Sequence, residues 1–315
     1  MFSTSNRNHS PNGSSTAAND SPYQRRSNRL DNPAQQLITE NVKFLIEQLE
    51  KGKSETLTAY LGAMAHFHNY SFGNILQIAR YKPTATYVAG MYAWNELHRY
   101  VRRGEKGIPI FAPMLGKKRG QENREEQGAK PATVLVGFRR VYVWDVSQTD
   151  GEPLPTLRGV EGKAEHLTQK LSEFVRLQGI SLEYSDRIAP AHGVSYGGRI
   201  VLLSGLSEAE TFATLVHETA HELLHKKERR TVTTQTARET EAEAVAFVVG
   251  SSLGLDYGTA AADYIGLYHG NAALLTESLE VIQQTSALIL GAVEAAQDGV
   301  ASKLDETQVQ NAEVG

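Results

Sequence analysis

Residues 207–227 read SEAETFATLVHETAHELLHKK, and this stretch decides both the architecture of its half of the chain and the chemistry it can carry. Apolar residues recur at helical spacing, Ser207 stands where an N-cap belongs, and Glu210 follows at capping-box distance, so the segment predicts a helix. On that helix His217 and His221 fall one turn apart on one face, where both imidazoles reach a single divalent ion. Glu218 sits beside that face. There it can take a proton from an attacking water and pass it to a leaving amine, the general-base role in metal-assisted peptide hydrolysis.

A catalytic zinc site needs a third protein ligand and one open position. The chain has no cysteine, so every ligand must be His, Asp or Glu. Downstream, TARETEAEAVAFVVGSSLG (236–254) predicts a second helix offering Glu239, Glu241 and Glu243. Carboxylates set among Ala, Val and Phe are costly to bury unless something compensates them, and a metal would. Without the upstream helix the triplet would read as a solvated face beside Arg238. Glu239 and Glu243 share one face; we take Glu239 as ligand and Glu243 as an acceptor orienting a ligand histidine, with the two roles reversible. His217, His221 and Glu239 then form a gluzincin-type set for Zn2+ with Glu218 as catalytic base. His225 continues the i, i+4 ladder but has rotated off the metal-facing line, which assigns it a supporting or surface place.

Around this pair of helices the sequence predicts an α+β unit. KAEHLTQKLSEFVRLQG (163–179) is helical, ISLEYS (180–185) is a strand, VSYGGRIVLLS (194–204) a hairpin, and LLTESLEVIQQTSALILGAVEAA (274–296) a long final helix. The strand GRIVLLS stands where zinc peptidases bind extended substrate by backbone pairing, or is an ordinary sheet strand. The first half is also α+β: LITENVKFLIEQLEKG (37–52) and LTAYLGAMAHFHNYSFGNILQIARY (57–81) are helical. TYVAGMYAW, GIPIFAPML and TVLVGFRRVYVWDV (133–146) are short apolar or alternating runs, the last a strand or hairpin pair, with a charged loop at 117–130. The expected division is a disordered tail at 1–34, a domain at 35–150, a linker at 151–160 marked by Pro153 and Pro155, a zincin-like, mostly helical domain at 161–297, and a disordered tail at 298–315.

With 315 residues, 40% hydrophobic and 22% charged, the chain is long enough for two domains and excludes a fibrous or wholly disordered protein. Disulfides, thiolate metal sites and cysteine nucleophiles are excluded at once. No apolar run approaches the roughly 18 residues that would cross a bilayer, and MFSTSNRNHSPNGSS holds no apolar stretch of signal-peptide type, so the expected address is cytoplasmic, without a membrane partner.

The net charge of −4 conceals an asymmetry: Tyr60 to Asp145 holds 13 Lys and Arg against 6 Asp and Glu. A basic block in an otherwise acidic chain fits either a polyanion partner or a solvated charged face. Single-stranded DNA binders join cations for phosphates to aromatic faces for bases. Tyr87, Tyr92 and Trp94 precede Arg99, Arg102, Arg103 and Lys106, and this interleaving makes Tyr87, Trp94, Arg99, Arg102, Arg103 and Lys106 the expected DNA-contacting set. Core packing is the competing place for Trp94, and a solvated turn beside Gly104 and Gly107 the competing place for Arg102, Arg103 and Lys106. Arg139 and Arg140, adjacent on a strand, point to opposite faces, so at most one lines a groove.

HETAHELLH followed by RETEAEAVAFVVGSSLGL resembles the C-terminal metallopeptidase domain of ArdC-type antirestriction proteins and, more distantly, the ImmA/IrrE zinc peptidases. FGNILQI, YVAGMYAWNEL, VRRGEKGIPIFAP and VYVWDVSQTDGEPLP resemble successive blocks of the ArdC N-terminal single-stranded-DNA-binding domain, in family order over residues 36–296. His98 departs from that pattern, standing where a small residue, usually Gly, is expected. The resemblance implies a cytoplasmic protein of plasmids, other mobile elements or their chromosomal relatives. Such a protein binds single-stranded DNA through its first domain and protects incoming DNA from restriction. Two other readings stay open: a regulatory ImmA/IrrE-like zinc protease whose first domain recognises a protein substrate, and a non-catalytic DNA-binding shield whose metal holds the fold.

Overall fold

The computed structural model describes residues 33–117, 133–154, 164–255 and 272–294. The expected tail at 298–315, all of the tail at 1–34 except Pro33 and Ala34, which begin the first helix, most of the 117–130 loop and most of the expected linker lie outside the described residues.

Three helices open the described chain: α1 (Pro33–Glu50), α2 (Glu55–His66) and α3 (Phe72–Tyr81). The helical run expected over 57–81 is thus interrupted. Phe67 leaves helical geometry at the end of α2, and Ser71, in extended backbone, starts α3. Next come β1 (Val88–Ala89), α4 (Met91–Glu96), β2 (Arg99–Val101), β3 (Ile108–Lys117), β4 (Thr133–Asp145) and β5 (Thr149–Gly151). β3 and β4 form one long antiparallel pair, Ile108 opposite Val143 and Lys117 opposite Thr133, with an irregularity between Met114 and Leu115. TVLVGFRRVYVWDV is therefore mostly one strand, paired with GIPIFAPML. β1 adds to the other edge of β4, and β2 pairs with β5 in a separate ribbon.

Asp145 ends β4 and ties these pieces together. Its carboxylate accepts from Thr86 N (2.9 Å), Tyr87 N (3.3 Å) and Ser147 N (2.9 Å), and also from the Ser147 hydroxyl. Burial pushes this carboxyl up, but those hydrogen bonds outweigh it and hold it below the ordinary Asp range.

The remaining elements are α5 (Ala164–Leu177), β6 (Ser181–Tyr184), β7 (Gly193–Ser195), β8 (Arg199–Leu202), α6 (Glu208–Leu224), α7 (Lys227–Val232), α8 (Gln235–Ser252) and α9 (Ala272–Glu294). The strand order is β6-β8-β7, with β8 parallel to β6 and antiparallel to β7. β8, the GRIVLLS strand, is flanked on both sides and has no free edge for a substrate; the hairpin partner β7 stands at an edge instead. Of the two places the sequence left open for GRIVLLS, it takes that of an ordinary sheet strand.

The described residues gather into one compact unit. A continuous apolar core runs from Val42 and Leu45 on α1 to Ile289 and Val293 on α9. α6 packs against α5 and α8, α9 against α8, and α2 also against α8, so helices from both halves of the sequence share that core. A second, small cluster surrounds Trp94 with Tyr87, Leu97, Val101 and Trp144. The chain is mixed α+β, and among the described residues no helix is long and apolar enough to cross a membrane.

Candidate metal centre

α6 begins as its sequence dictates. The Ser207 hydroxyl accepts from Glu210 N at 3.3 Å while the Glu210 carboxylate accepts from Ser207 N at 2.9 Å, closing the capping box. Phe212, Leu215, Val216 and Ala220 are its buried apolar residues. α8 is started by Thr234, whose side chain accepts from Ala237 N at 3.1 Å. Packing of α8 on α6 brings Glu239 to the histidine pair.

The three donor atoms converge. His217 Nε2 and His221 Nε2 are 3.1 Å apart, and Glu239 Oε2 is 3.3 Å from His221 Nε2 and 3.6 Å from His217 Nε2. An ion bound tetrahedrally at about 2.0–2.2 Å holds its donors about 3.3–3.6 Å apart, so the geometry fits a single first-row divalent ion. Among the described residues this is the group of His, Asp and Glu that could hold a metal. Burial, the first cause, lowers both histidines, His221 to about 4, so both imidazoles are neutral at neutral pH, the form a metal ligand needs.

The donors open on a cavity of about 310 Å³ lined by Gly193, Val194 and Ser195 of β7, His217, Glu218 and His221 of α6, and Arg230, Gln235, Arg238 and Glu239. Glu218 is buried against β7, where Ser195 N donates to its carboxylate. Burial, reinforced by the charge of Glu239, pushes its pKa up to about 7. β7 can lie this close because residue 193 is glycine: a Cβ there would meet Thr214 Cγ2 at 2.6 Å and Glu218 Cγ at 2.8 Å.

Glu222, the next acidic residue on α6, has another task. Its carboxylate accepts from Ser195 Oγ (2.6 Å), Gly197 N (2.7 Å) and Gly198 N (2.6 Å), clamping the β7–β8 turn to the helix. Gly197 and Gly198 both have left-handed φ, +77° and +99°, which presents their two N–H groups to one carboxylate.

Behind the donors lies a polar chain. His225 Nδ1 is 3.1 Å from His221 Nδ1, and His225 Nε2 is 2.9 Å from Glu241 Oε2. Glu241 is gripped by both terminal nitrogens of Arg229 (2.8 and 2.9 Å) and by Ser278 Oγ (2.7 Å). The orienting place expected for Glu243 thus has Glu241 in its geometry. Glu243 is exposed and does not line the cavity. Sequence offered Glu241 as one of three acids; what selects it is the approach of α7 and α9, which spacing along α8 does not carry.

The expected DNA-contacting residues separate into two groups. Trp94 is fully buried, its Nε1 donating to Trp144 O at 2.9 Å, and Tyr87 packs edge-on against it at 5.3 Å. As core, Trp94 offers no face to a base, and this corrects its expected place. Arg99 spends its guanidinium on β5, donating to Thr149 Oγ1 (2.9 Å), Thr149 O (3.1 Å), Gly151 O (3.4 Å) and Glu152 O. Arg102 is paired with Glu105 (3.0 Å) and Asp150 (3.3 Å) and donates to Ser147 O. These two arginines fasten the β2–β5 ribbon. Arg103 and Lys106 remain exposed. Gly107 lies against Tyr142, where a Cβ would come within 3.0 Å of the tyrosine Cβ, so the Arg103–Lys106 turn abuts the β4 face that carries Tyr142. Tyr142 and Arg140, two residues apart on β4, are exposed, as are Tyr92 and Tyr100. His98 has φ +54°, the left-handed geometry that explains why a glycine is expected there.

Residues 33–144 match the family model of the N-terminal domain of anti-restriction factor ArdC. Among solved structures the chain is similar to the Mn(II)-bound antirestriction ArdC protein of plasmid R388, with 18% identity, a TM-score of 0.50, and coverage of 84% of this chain and 98% of that one. The metal-free structure of the R388 protein gives 18% identity and a TM-score of 0.49, over 82% and 98% of the two chains. An uncharacterized Bacillus anthracis protein is 22% identical over 292 residues, covering 79% of this chain and 49% of that protein, so this chain spans about half the length of that relative. Residues 33–144 thus carry an ArdC N-terminal domain, and the chain shares the fold of the R388 protein.

Proposed function

We propose that this chain is an antirestriction-type protein that binds single-stranded DNA through residues 35–150 and carries a metal-dependent peptidase site within residues 161–297. The observation that carries the second half is the open cavity. His217, His221 and Glu239 converge at its wall, and Glu218 lines the same space without being one of the three donors. A metal that only holds a fold is enclosed by four protein ligands, whereas a catalytic one keeps a position for its substrate. That contrast favours hydrolysis over the shield reading. The two imidazoles and one carboxylate suit Zn2+, and the R388 relative with Mn(II) supports a divalent ion in this fold.

When bound, the ion would polarise a peptide carbonyl as a Lewis acid and make water more acidic. The chain's own residues do the rest. Glu218, held by Ser195 N, takes a proton from the attacking water at its carboxylate and delivers it to the departing amine nitrogen. β7, an edge strand lining the cavity, offers its backbone to an extended peptide.

For DNA, exposed Arg103, Lys106 and Arg140 supply phosphate contacts, and Tyr142, with Tyr92 and Tyr100 nearby in sequence, supplies stacking faces. Antirestriction as the outcome rests on the ArdC N-terminal domain.

Glu218→Gln tests the peptidase reading. The amide keeps the shape and removes the base, so metal content, fold and oligonucleotide binding should stay as in the wild type. Peptide hydrolysis should fall by at least about a hundredfold. Full activity in that variant would leave the metal a structural role.

A further inference from the structure

The hydrolytic reading makes no use of His225, Glu241, Arg229 and Ser278, yet these side chains form a continuous chain that ends on a metal ligand. His225 has a side-chain exposure of 0% and Glu241 of 2%, so water does not exchange the partners. The positions of the protons therefore follow from the groups themselves.

Glu241 receives two N–H donors from Arg229 and one O–H from Ser278, so it is present as a carboxylate, which accepts and does not donate. Its contact with His225 Nε2 at 2.9 Å then requires the proton on that nitrogen. With Nε2–H spent on Glu241, Nδ1 is the ring nitrogen of His225 that faces His221. An ion bound at His221 Nε2 needs the His221 proton on Nδ1, and His225 Nδ1 is the atom placed to accept it. His221 Nδ1, 3.1 Å away, must donate to it, which leaves the lone pair of His221 on Nε2, facing His217 Nε2 and Glu239 Oε2.

We propose that His225 is a positioning residue that holds His221 in the Nδ1–H form, so that three acceptor atoms and no proton face one point. The inference rests on the metal-site reading, which it deepens. A carboxylate commonly orients a metal-ligating histidine directly; here a second histidine stands between them. The relay also reaches α9 through Ser278, so the ligand geometry on α6 depends on helix packing 37 residues beyond Glu241. Free imidazole prefers its proton on Nε2, so the form assigned to His221 is one the surroundings must impose.

The test uses the full-length protein. In the metal-free wild type, nitrogen-15 NMR of the histidine rings should show His221 protonated on Nδ1 and His225 on Nε2. A His221 proton on Nε2 would overturn the relay, whether or not the protein binds metal. Zn2+ affinity, measured against a competing chelator, should fall by about ten- to a hundredfold in His225→Phe, which keeps a ring but offers no acceptor. His225→Asn, whose amide oxygen can occupy the place of Nδ1, should recover part of that loss. Equal affinity in wild type and His225→Phe, with both folded by circular dichroism, would also overturn the proposal. A wild type that binds no Zn2+ at all while showing the assigned tautomers would refute the metal site and uphold the relay.

Discussion

Replacing Glu222 should loosen the wall of the cavity without touching a metal donor. The carboxylate is buried and accepts three hydrogen bonds of 2.6–2.7 Å, two from backbone N–H groups of Gly197 and Gly198 and one from Ser195 Oγ. Bonds to a charged acceptor contribute about 1.5–3 kcal/mol each, but the two glycines are exposed and water can take over their donors, so roughly 1 kcal/mol each is the appropriate discount. Glu222→Ala should therefore cost about 3 kcal/mol of unfolding free energy. Glu222→Gln should cost less, about 1 kcal/mol, because the amide oxygen can keep Ser195 and Gly197 while its NH2 faces the Gly198 N–H, donor against donor. Urea unfolding measures the totals, and hydrogen exchange at Gly197 and Gly198 locates the effect: both amides should exchange faster in Glu222→Ala. If that variant unfolds within about 0.5 kcal/mol of wild type, with unchanged exchange at the two glycines, the clamp is not what fixes β7.

Other outcomes follow from the same structure. His98→Gly should stabilise by about 0.5–1 kcal/mol in thermal or urea unfolding, since φ +54° costs an L-residue more than glycine's extra chain entropy. Asp145→Ala should destabilise by about 3 kcal/mol by orphaning the Thr86, Tyr87 and Ser147 donors. Its carboxyl is held below the unfolded value of 3.8, so that stability is present above pH 3.8 and is lost as pH falls through the lower folded value. Unfolding curves of wild type and Asp145→Ala should converge in acid. Gly193→Ala should slow peptide hydrolysis while leaving metal content intact, because the new Cβ pushes into Glu218 and not into a donor. Replacing Arg103 and Lys106 by Gln should weaken single-strand binding and reduce the magnitude of its logarithmic salt slope by about 1.4 if both contact phosphate.

Much of the architecture around the metal site was legible because its signals are local. Ser207 and Glu210 fix the start of α6 within one turn, the four-residue spacing sets both histidines on one face, and Gly197-Gly198 marks the β7–β8 turn. What the sequence could not carry is the set of partners chosen by packing. Arg99 and Arg102 look like free cations beside glycines, yet apart from Glu105 their partners lie 45 to 53 residues away across the β2–β5 ribbon. Glu241, rather than Glu243, meets His225 because α6, α7 and α9 all close around that point of α8. The edge position of β7 is likewise a property of strand order, since β6 reaches β8 in parallel and covers its other side. His98 is the opposite case: an unexpected residue type flagged a backbone turn, and the left-handed φ is there.

The central claim is that His217, His221 and Glu239 hold one divalent ion, and metal stoichiometry tests it most directly. Elemental analysis of purified, Zn2+-loaded and desalted protein should find about one ion per chain in the wild type and none in the His217→Ala/His221→Ala variant, with both folded by circular dichroism. A double variant that retains stoichiometric metal, or a wild type that retains none, would contradict it.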